Sequence, residues 1–140
     1  MDRSAQLVDK LTEIINKYTH SKFVLGTNDC ATIFGECFEC VTGTNPISKY
    51  IGTYNSETSA IKCLISEDCN SMMEFCLRHL SEKPRLWFMD GDFATVRNMQ
   101  LLMSPLIIVR GHAFGYNDRG AVWVPASEFH AVYRAVAPIE

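Results

Sequence analysis

The segment Phe23-Val24-Leu25-Gly26-Thr27-Asn28-Asp29-Cys30-Ala31 sets a thiol directly behind a carboxylate suited to capping a helix. The first turn of a helix carries unpaired N–H groups and the positive end of the macrodipole. A thiol there is expected to have a lowered pKa and to expose the reactive thiolate. It becomes a nucleophile when an imidazole stands beside it to take and return a proton, with a polar group holding that imidazole. The same residues also fit a structural role, with Asp29 or Asn28 as an ordinary cap and Cys30 as a small core residue. Whether a histidine answers Cys30 separates the two, and the chain offers His20, His79, His112 and His130.

The other thiols are less informative. Cys30, Cys37 and Cys40 fall on one predicted helix, and Cys63, Cys69 and Cys76 lie in or between the next two. The start, Met1-Asp2-Arg3-Ser4-Ala5-Gln6, has no apolar run behind it, so neither a signal peptide nor a membrane span is expected. Free thiols in a reducing compartment follow as the better reading than a disulfide framework. Cys37-x-x-Cys40 has metal-ligand spacing, but it sits inside a helix with no second pair and Cys37 continues an apolar stripe. No metal and no cofactor are expected. The net charge of −3 and the absence of a Lys/Arg run argue against a nucleic-acid surface.

The elements that must position these groups divide along the chain. Leu7, Val8, Leu11, Ile14, Ile15 and Tyr18 recur at helical spacing, predicting a helix over about 4–18. A second helix is expected over 29–42, its apolar face made by Cys30, Ile33, Phe34, Cys37, Phe38 and Val41 and its stop by Gly43. A long connection holding Tyr50, Gly52 and Tyr54 leads to two shorter helices. The first turns Ala60, Ile61, Leu64 and Ile65 inward, and the second Met72, Met73, Phe75, Cys76 and Leu80. From Pro84 the pattern changes to short runs of strand formers: 86–88, 93–96, 106–109, 112–116, 121–124 and 131–134. Their close spacing implies an antiparallel meander, and the whole reads as one α+β domain with the Cys30 helix packed on the sheet.

Several short motifs fall in a fixed order: Phe23-x-x-Gly26-x-x-Asp29-Cys30-Ala31, Thr42-Gly43-x-Asn45-Pro46, Gly52-x-Tyr54 with Ala60 six residues later, Gly91-Asp92, and Gly120-Ala-Val-Trp-Val-Pro125. In that order and spacing the chain resembles the papain-like NlpC cysteine peptidase and amidase superfamily, and more closely a small phage-encoded branch of it, over about 7–136. The resemblance implies a papain-like fold with its amino-terminal helices packed on the meander. It also implies a nucleophile at Cys30, a histidine at the start of the strand after Gly91-Asp92, and a polar orienting residue on the next strand.

The implied histidine position falls at Met103-Ser104-Pro105, and none of these is a good general base near neutral pH. The orienting position falls at about Tyr116 or Asn117. His112 is the candidate replacement for the base, but it begins the strand after 106–109 and so lies about 15 Å from the implied position at strand rise. His20 reaches Cys30 only if the first loop folds back, His79 suits the carboxyl end of a helix where a cation is favoured, and His130 reads as a half-exposed loop residue. Asp29 reads as a cap and Asp92 as a turn carboxylate bonding nearby N–H groups. Trp87, Trp123, Tyr50 and Tyr54 suit either a peptide groove or core and loop anchors.

Two functions follow. One is a non-catalytic phage protein on a papain-like scaffold, a virion component associated with the tail or with DNA ejection, whose partners are other virion or tail proteins. The other is a cysteine hydrolase acting on bacterial cell-wall peptides, with Cys30 as nucleophile, His112 as base and Asn117 as orienter. The expected location is the virion or the infected host's cytoplasm. An intracellular protein that binds a host factor is a third possibility.

Overall fold

Helix α1, Arg3–Thr19, buries Val8, Leu11, Ile15 and Tyr18 along one stripe, at the three- and four-residue steps that bring side chains onto one helix face. It packs on α2, Cys30–Thr42, where the Tyr18 hydroxyl donates to Thr32 Oγ1 at 3.0 Å. Helix α2 starts on the Asp29 cap and stops at Gly43, whose left-handed backbone (φ 89°) lets its N–H reach the Glu39 carbonyl at 2.8 Å. Seven of its residues between Ala31 and Phe38 are buried, which makes it the centre of the core. The computed structural model describes residues 3–97 and 104–137.

A 3-10 turn at Ser48–Tyr50 leads to α3, Glu57–Ser66, and α4, Met72–Leu77, each begun by a serine cap at Ser56 and Ser71. Helix α3 corrects the expectation for Ile61 and Ile65, which are 53% and 67% exposed. Only its Ala60–Leu64 side is drawn toward the core, so its buried stripe is narrower than its apolar content implies. Leu80, expected on α4, instead opens strand β1, Leu80–Lys83.

The sheet comprises β1 with β2, Phe93–Val96; β3, Leu106–Val109; β4, His112–Asn117; β5, Gly120–Pro125; and β6, Phe129–Ala135. All pairs are antiparallel, in the order β1-β6-β2-β3-β4-β5. Strands β2 to β5 form the expected meander, whereas β6 returns to lie between β1 and β2. The run 86–88, expected as a strand, is a 3-10 turn over Arg85–Trp87 with Leu86 80% and Trp87 70% exposed. Pro84 brings no N–H to a ladder, and the places beside β6 are already held by β1 and β2. His130, expected in a loop, lies on β6 and is exposed.

Alternation splits the sheet residues between two cores. Phe93, Ile107, Val109, Phe114 and Tyr116 meet the helices, while Ala94, Val96, Leu106, Ile108, Ala113, Phe129 and Val132 pack together on the opposite face. The β1–β2 connection is pinned at its base, where Asp92 accepts from Lys83 Nζ at 2.7 Å and from Met89 N at 2.8 Å. The architecture is thus α+β: four helices and a six-stranded antiparallel sheet in one domain.

Candidate functional site

The loop before α2 is built to fix the helix start. Val24 and Asn28 exchange backbone hydrogen bonds at 2.8 and 2.9 Å, and Gly26 turns between them at φ 96°. The Gly26 carbonyl accepts from Gly52 N at 2.9 Å, which brings the 50–54 loop against this one. A Cβ at Gly26 would fall 1.9 Å from the Tyr54 carbonyl oxygen, so the approach requires glycine. Asn28 Nδ2 donates to Ser21 Oγ and to the Lys22 carbonyl, both at 2.8 Å.

Asp29, 1% exposed, gathers three donors: Gly26 N at 2.7 Å, Thr32 N at 2.9 Å and the Tyr54 hydroxyl at 2.7 Å. Thr32 Oγ1 in turn accepts from Asp29 N at 2.7 Å, completing a capping box. The carboxylate is therefore a structural cap, and Tyr54 is a partner that sequence patterning did not give it. The Gly52-x-Tyr54 motif was the available signal, but nothing in its spacing says where the hydroxyl points.

Cys30 is the first residue of α2 and is partly buried. Ser104, buried just before β3, donates from its hydroxyl to the Cys30 carbonyl at 3.3 Å. The strand start after Gly91-Asp92 and the helix start are thus neighbours; Met103 lies outside the described residues. The expectation of a lowered thiol pKa is reversed. Burial, then the Asp29 carboxylate beside it, pushes Cys30 up to about 12, outweighing the hydrogen bonds from Ala31 N, Cys30 N and Ser104 that favour the thiolate. The helix terminus favours negative charge, but the Asp29 carboxylate already occupies that field.

Three of the four histidines, His20, His79 and His112, make contacts with groups other than Cys30. His20 turns its Nδ1 back along α1 to the Asn16 carbonyl at 2.9 Å. His79 stands edge-on to Phe38 and Phe75, ring centroids 5.9 and 5.2 Å away. Burial holds that imidazole below its usual range, so it is no cation on a helix dipole. His112 opens β4, exposed and paired with Val109 and Pro125, with its Nδ1 3.3 Å from the Arg110 carbonyl. Ser104 lies five residues before Val109, which puts His112 about 15 Å along the sheet from Ser104. His130 faces solvent on β6.

The remaining candidates scatter. Asn117 ends β4 on the side of the sheet where β3 begins, and its Oδ1 accepts from Arg119 N at 2.8 Å within the β4–β5 turn. The Tyr116 hydroxyl donates to the Ser21 carbonyl at 3.0 Å. Trp87 and Trp123 are exposed at separate places, Trp123 resting edge-on against Phe114. Tyr50 and Tyr54 do meet, in the wall of one apolar pocket beside α2.

Cys37 and Cys76 are fully buried, and burial keeps both thiols well above their ordinary range. No group of three or more His, Cys, Asp or Glu side chains is placed to hold a metal ion among the described residues. No helix among them is long and apolar enough to cross a membrane. No curated protein matches the chain. Residues 2–135 match the family described as Domain of unknown function (DUF6950), and by that match over nearly its whole length the chain belongs to this family.

Proposed function

We propose that this chain keeps a papain-like, NlpC-type scaffold without its hydrolase chemistry and acts as an assembly component of a phage virion, associated with the tail or with DNA ejection. The observation that carries the reading is the Ser104 hydroxyl on Cys30, at the strand start where a cysteine hydrolase sets its imidazole. A hydroxyl does not accept a thiol proton at neutral pH, and a thiol with a pKa of about 12 holds its proton throughout the physiological range. The sulfur that would attack an amide carbonyl is therefore a neutral, partly buried core group. A fold can outlast its chemistry, and the function is then carried by surfaces. The virion setting comes from the resemblance to the phage-encoded branch of the superfamily.

The test is Cys30→Ala in the phage that encodes the chain. Particles are expected to form with unchanged composition and full infectivity, and mass spectrometry of purified particles is expected to find the chain in them. Loss of infectivity by a variant that still folds would return the hydrolase reading, with cell-wall peptides as substrate. Absence from the particles would favour an intracellular partner.

A further inference from the structure

Strand β5, Gly120–Pro125, ends the sheet and is paired with β4 on one side only. All its residues pair in unbroken register, from Gly120 opposite Asn117 to Pro125 opposite His112. The Asn117–Gly120 pair closes a two-residue turn, so it exchanges hydrogen bonds, and bonded and non-bonded pairs alternate from there. Gly120, Val122 and Val124 therefore turn their backbone groups to β4, while Ala121, Trp123 and Pro125 turn theirs outward. Neither Ala121 nor Trp123 finds a backbone partner on that outer side among the described residues.

The two edges of the sheet differ in how they meet solvent. The opposite edge, β1, is shorter and carries Glu82 and Lys83. Charges on an edge strand discourage pairing with a further strand. Strand β5 has no charged residue and no bulge, and proline stands only at its last position. Its outward-bonding residues are also its exposed ones: Ala121, Pro125 and Trp123, the last 50% exposed with its ring edge-on to Phe114. Free N–H and C=O groups beside exposed apolar side chains form a template for another strand.

The groups that β5 offers are complementary to themselves. Turned about a two-fold axis beside Trp123, a second β5 sets Trp123 opposite Trp123 and Ala121 opposite Pro125. Each Trp123 N–H then meets the other copy's Trp123 carbonyl, and each Ala121 N–H meets a Pro125 carbonyl. Proline, lacking an N–H, serves only as an acceptor, so every outward donor is used. No charge faces a like charge along the strand. We propose that β5 pairs antiparallel with the β5 of a second copy of this chain, joining the two sheets edge to edge. A foreign peptide added to a sheet edge takes its specificity from side-chain pockets along the strand, whereas β5 presents exposed side chains there. One strand pair of this length buries less than about 1,200 Å², the low end for stable interfaces, so the dimer is reversible. The contact is independent of Cys30 and of the virion setting.

The test is sedimentation equilibrium of the full chain from about 1 to about 500 μM, where a reversible monomer–dimer equilibrium is expected. Ala121→Pro removes an outward N–H that the β4 ladder does not use, and Trp123→Lys sets like charges opposite each other. Each is expected to weaken dimerisation by about tenfold or more. Trp87→Lys changes the other exposed tryptophan, on the Arg85–Trp87 turn, and is expected to leave dimerisation unchanged. Circular dichroism checks that each variant folds. Trp123→Lys alters a half-exposed side chain and carries the test if Ala121→Pro misfolds. A monomer throughout that range overturns the proposal, as does a dimer that the folded β5 variants leave intact. Loss of the dimer in Trp87→Lys alone overturns it in favour of the Arg85–Trp87 turn. Species that grow beyond a dimer with concentration overturn the two-fold arrangement in favour of β5 pairing with β1.

Discussion

The Ser104 hydroxyl donates to the Cys30 carbonyl across 3.3 Å, joining the residue just before β3 to the first residue of α2. The contact brings the start of β3 to the helix start. Burial and the Asp29 carboxylate outweigh the hydrogen bonds from Ala31 N, Cys30 N and Ser104, and the two together keep the sulfur protonated.

Alkylation rates report that protonation directly. With a pKa of about 12, the Cys30 thiolate is a fraction of about 10⁻⁴ at pH 8, against about a quarter for an ordinary thiol. Cys63 is partly exposed at the rim of an open groove. Iodoacetamide followed by peptide mapping is expected to modify Cys63 well before Cys30. Faster labelling of Cys30 than of Cys63 would contradict the inert-thiol reading.

The same burial makes the fold sensitive to alkali. Cys30, Cys37 and Cys76 hold their protons more tightly folded than unfolded, as do the buried Tyr18 and Tyr54 hydroxyls. Above about pH 8.5 the unfolded chain releases thiol protons that the folded chain keeps, so stability falls as pH rises, by up to about 1.4 kcal/mol per pH unit for each group. Below that pH the contribution is fully present. Urea midpoints at pH 7, 8.5 and 9.5 are expected to fall across the upper interval, and Cys30→Ala to make the fall shallower. A midpoint flat across that interval would contradict the placement of these groups.

What could be read in the chain, and what could not, follows from where each pattern gets its energy. Helices α1 and α2 were legible because their apolar stripes and the Gly43 stop are local signals, and the β2–β5 meander because each strand is a short run of strand formers. Strand β1 was hidden because Leu80-Ser-Glu-Lys has no strand pattern of its own. Its conformation comes from pairing with β6, about fifty residues away in the chain. The reverse error at Leu86-Trp87-Phe88 has the same root, since an apolar run without a free ladder position becomes an exposed turn. At the site, the nearness of position 104 to Cys30 followed only from the family resemblance, and the sign of the thiol shift did not follow at all. The helix terminus is a local feature, whereas burial and the competing Asp29 charge belong to the folded surroundings.

The Asp29 cluster should dominate local stability. Tyr54→Phe removes one of three donors to a buried carboxylate and is expected to cost about 1 kcal/mol. Asp29→Ala leaves Gly26 N, Thr32 N and the Tyr54 hydroxyl without their acceptor, and is expected to cost about 3 kcal/mol or more. Chemical denaturation of the two variants checks the ordering.

Gly26 is the corresponding backbone test. An alanine there would set its Cβ 1.9 Å from the Tyr54 carbonyl oxygen at a φ of 96° that L-residues rarely adopt. The 23–28 and 50–54 loops would have to part, and Gly26→Ala is expected to cost more than about 3 kcal/mol. Gly43→Ala, where the same added atom meets nothing within 4 Å, is expected to cost less.

Ser104→His tests the scaffold argument constructively. It puts an imidazole at the residue whose side chain already reaches the first residue of α2, with Cys30 and the Asp29 cap unchanged. A cation beside the sulfur favours the thiolate, so the Cys30 pKa is expected to fall and its alkylation at pH 7.5 to accelerate by about tenfold or more. The rate should also acquire a dependence on the imidazole's titration that the parent lacks. The substitution crowds a buried position, so folding is checked first by circular dichroism, and Ser104→Asn serves as a polar control without a base. Acceleration in the histidine variant alone would mean that the missing imidazole is what keeps this thiol inert. Equal rates in parent, Asn and folded His variants would mean that position 104 does not face the sulfur as an imidazole must, and the papain-like correspondence would fail with it.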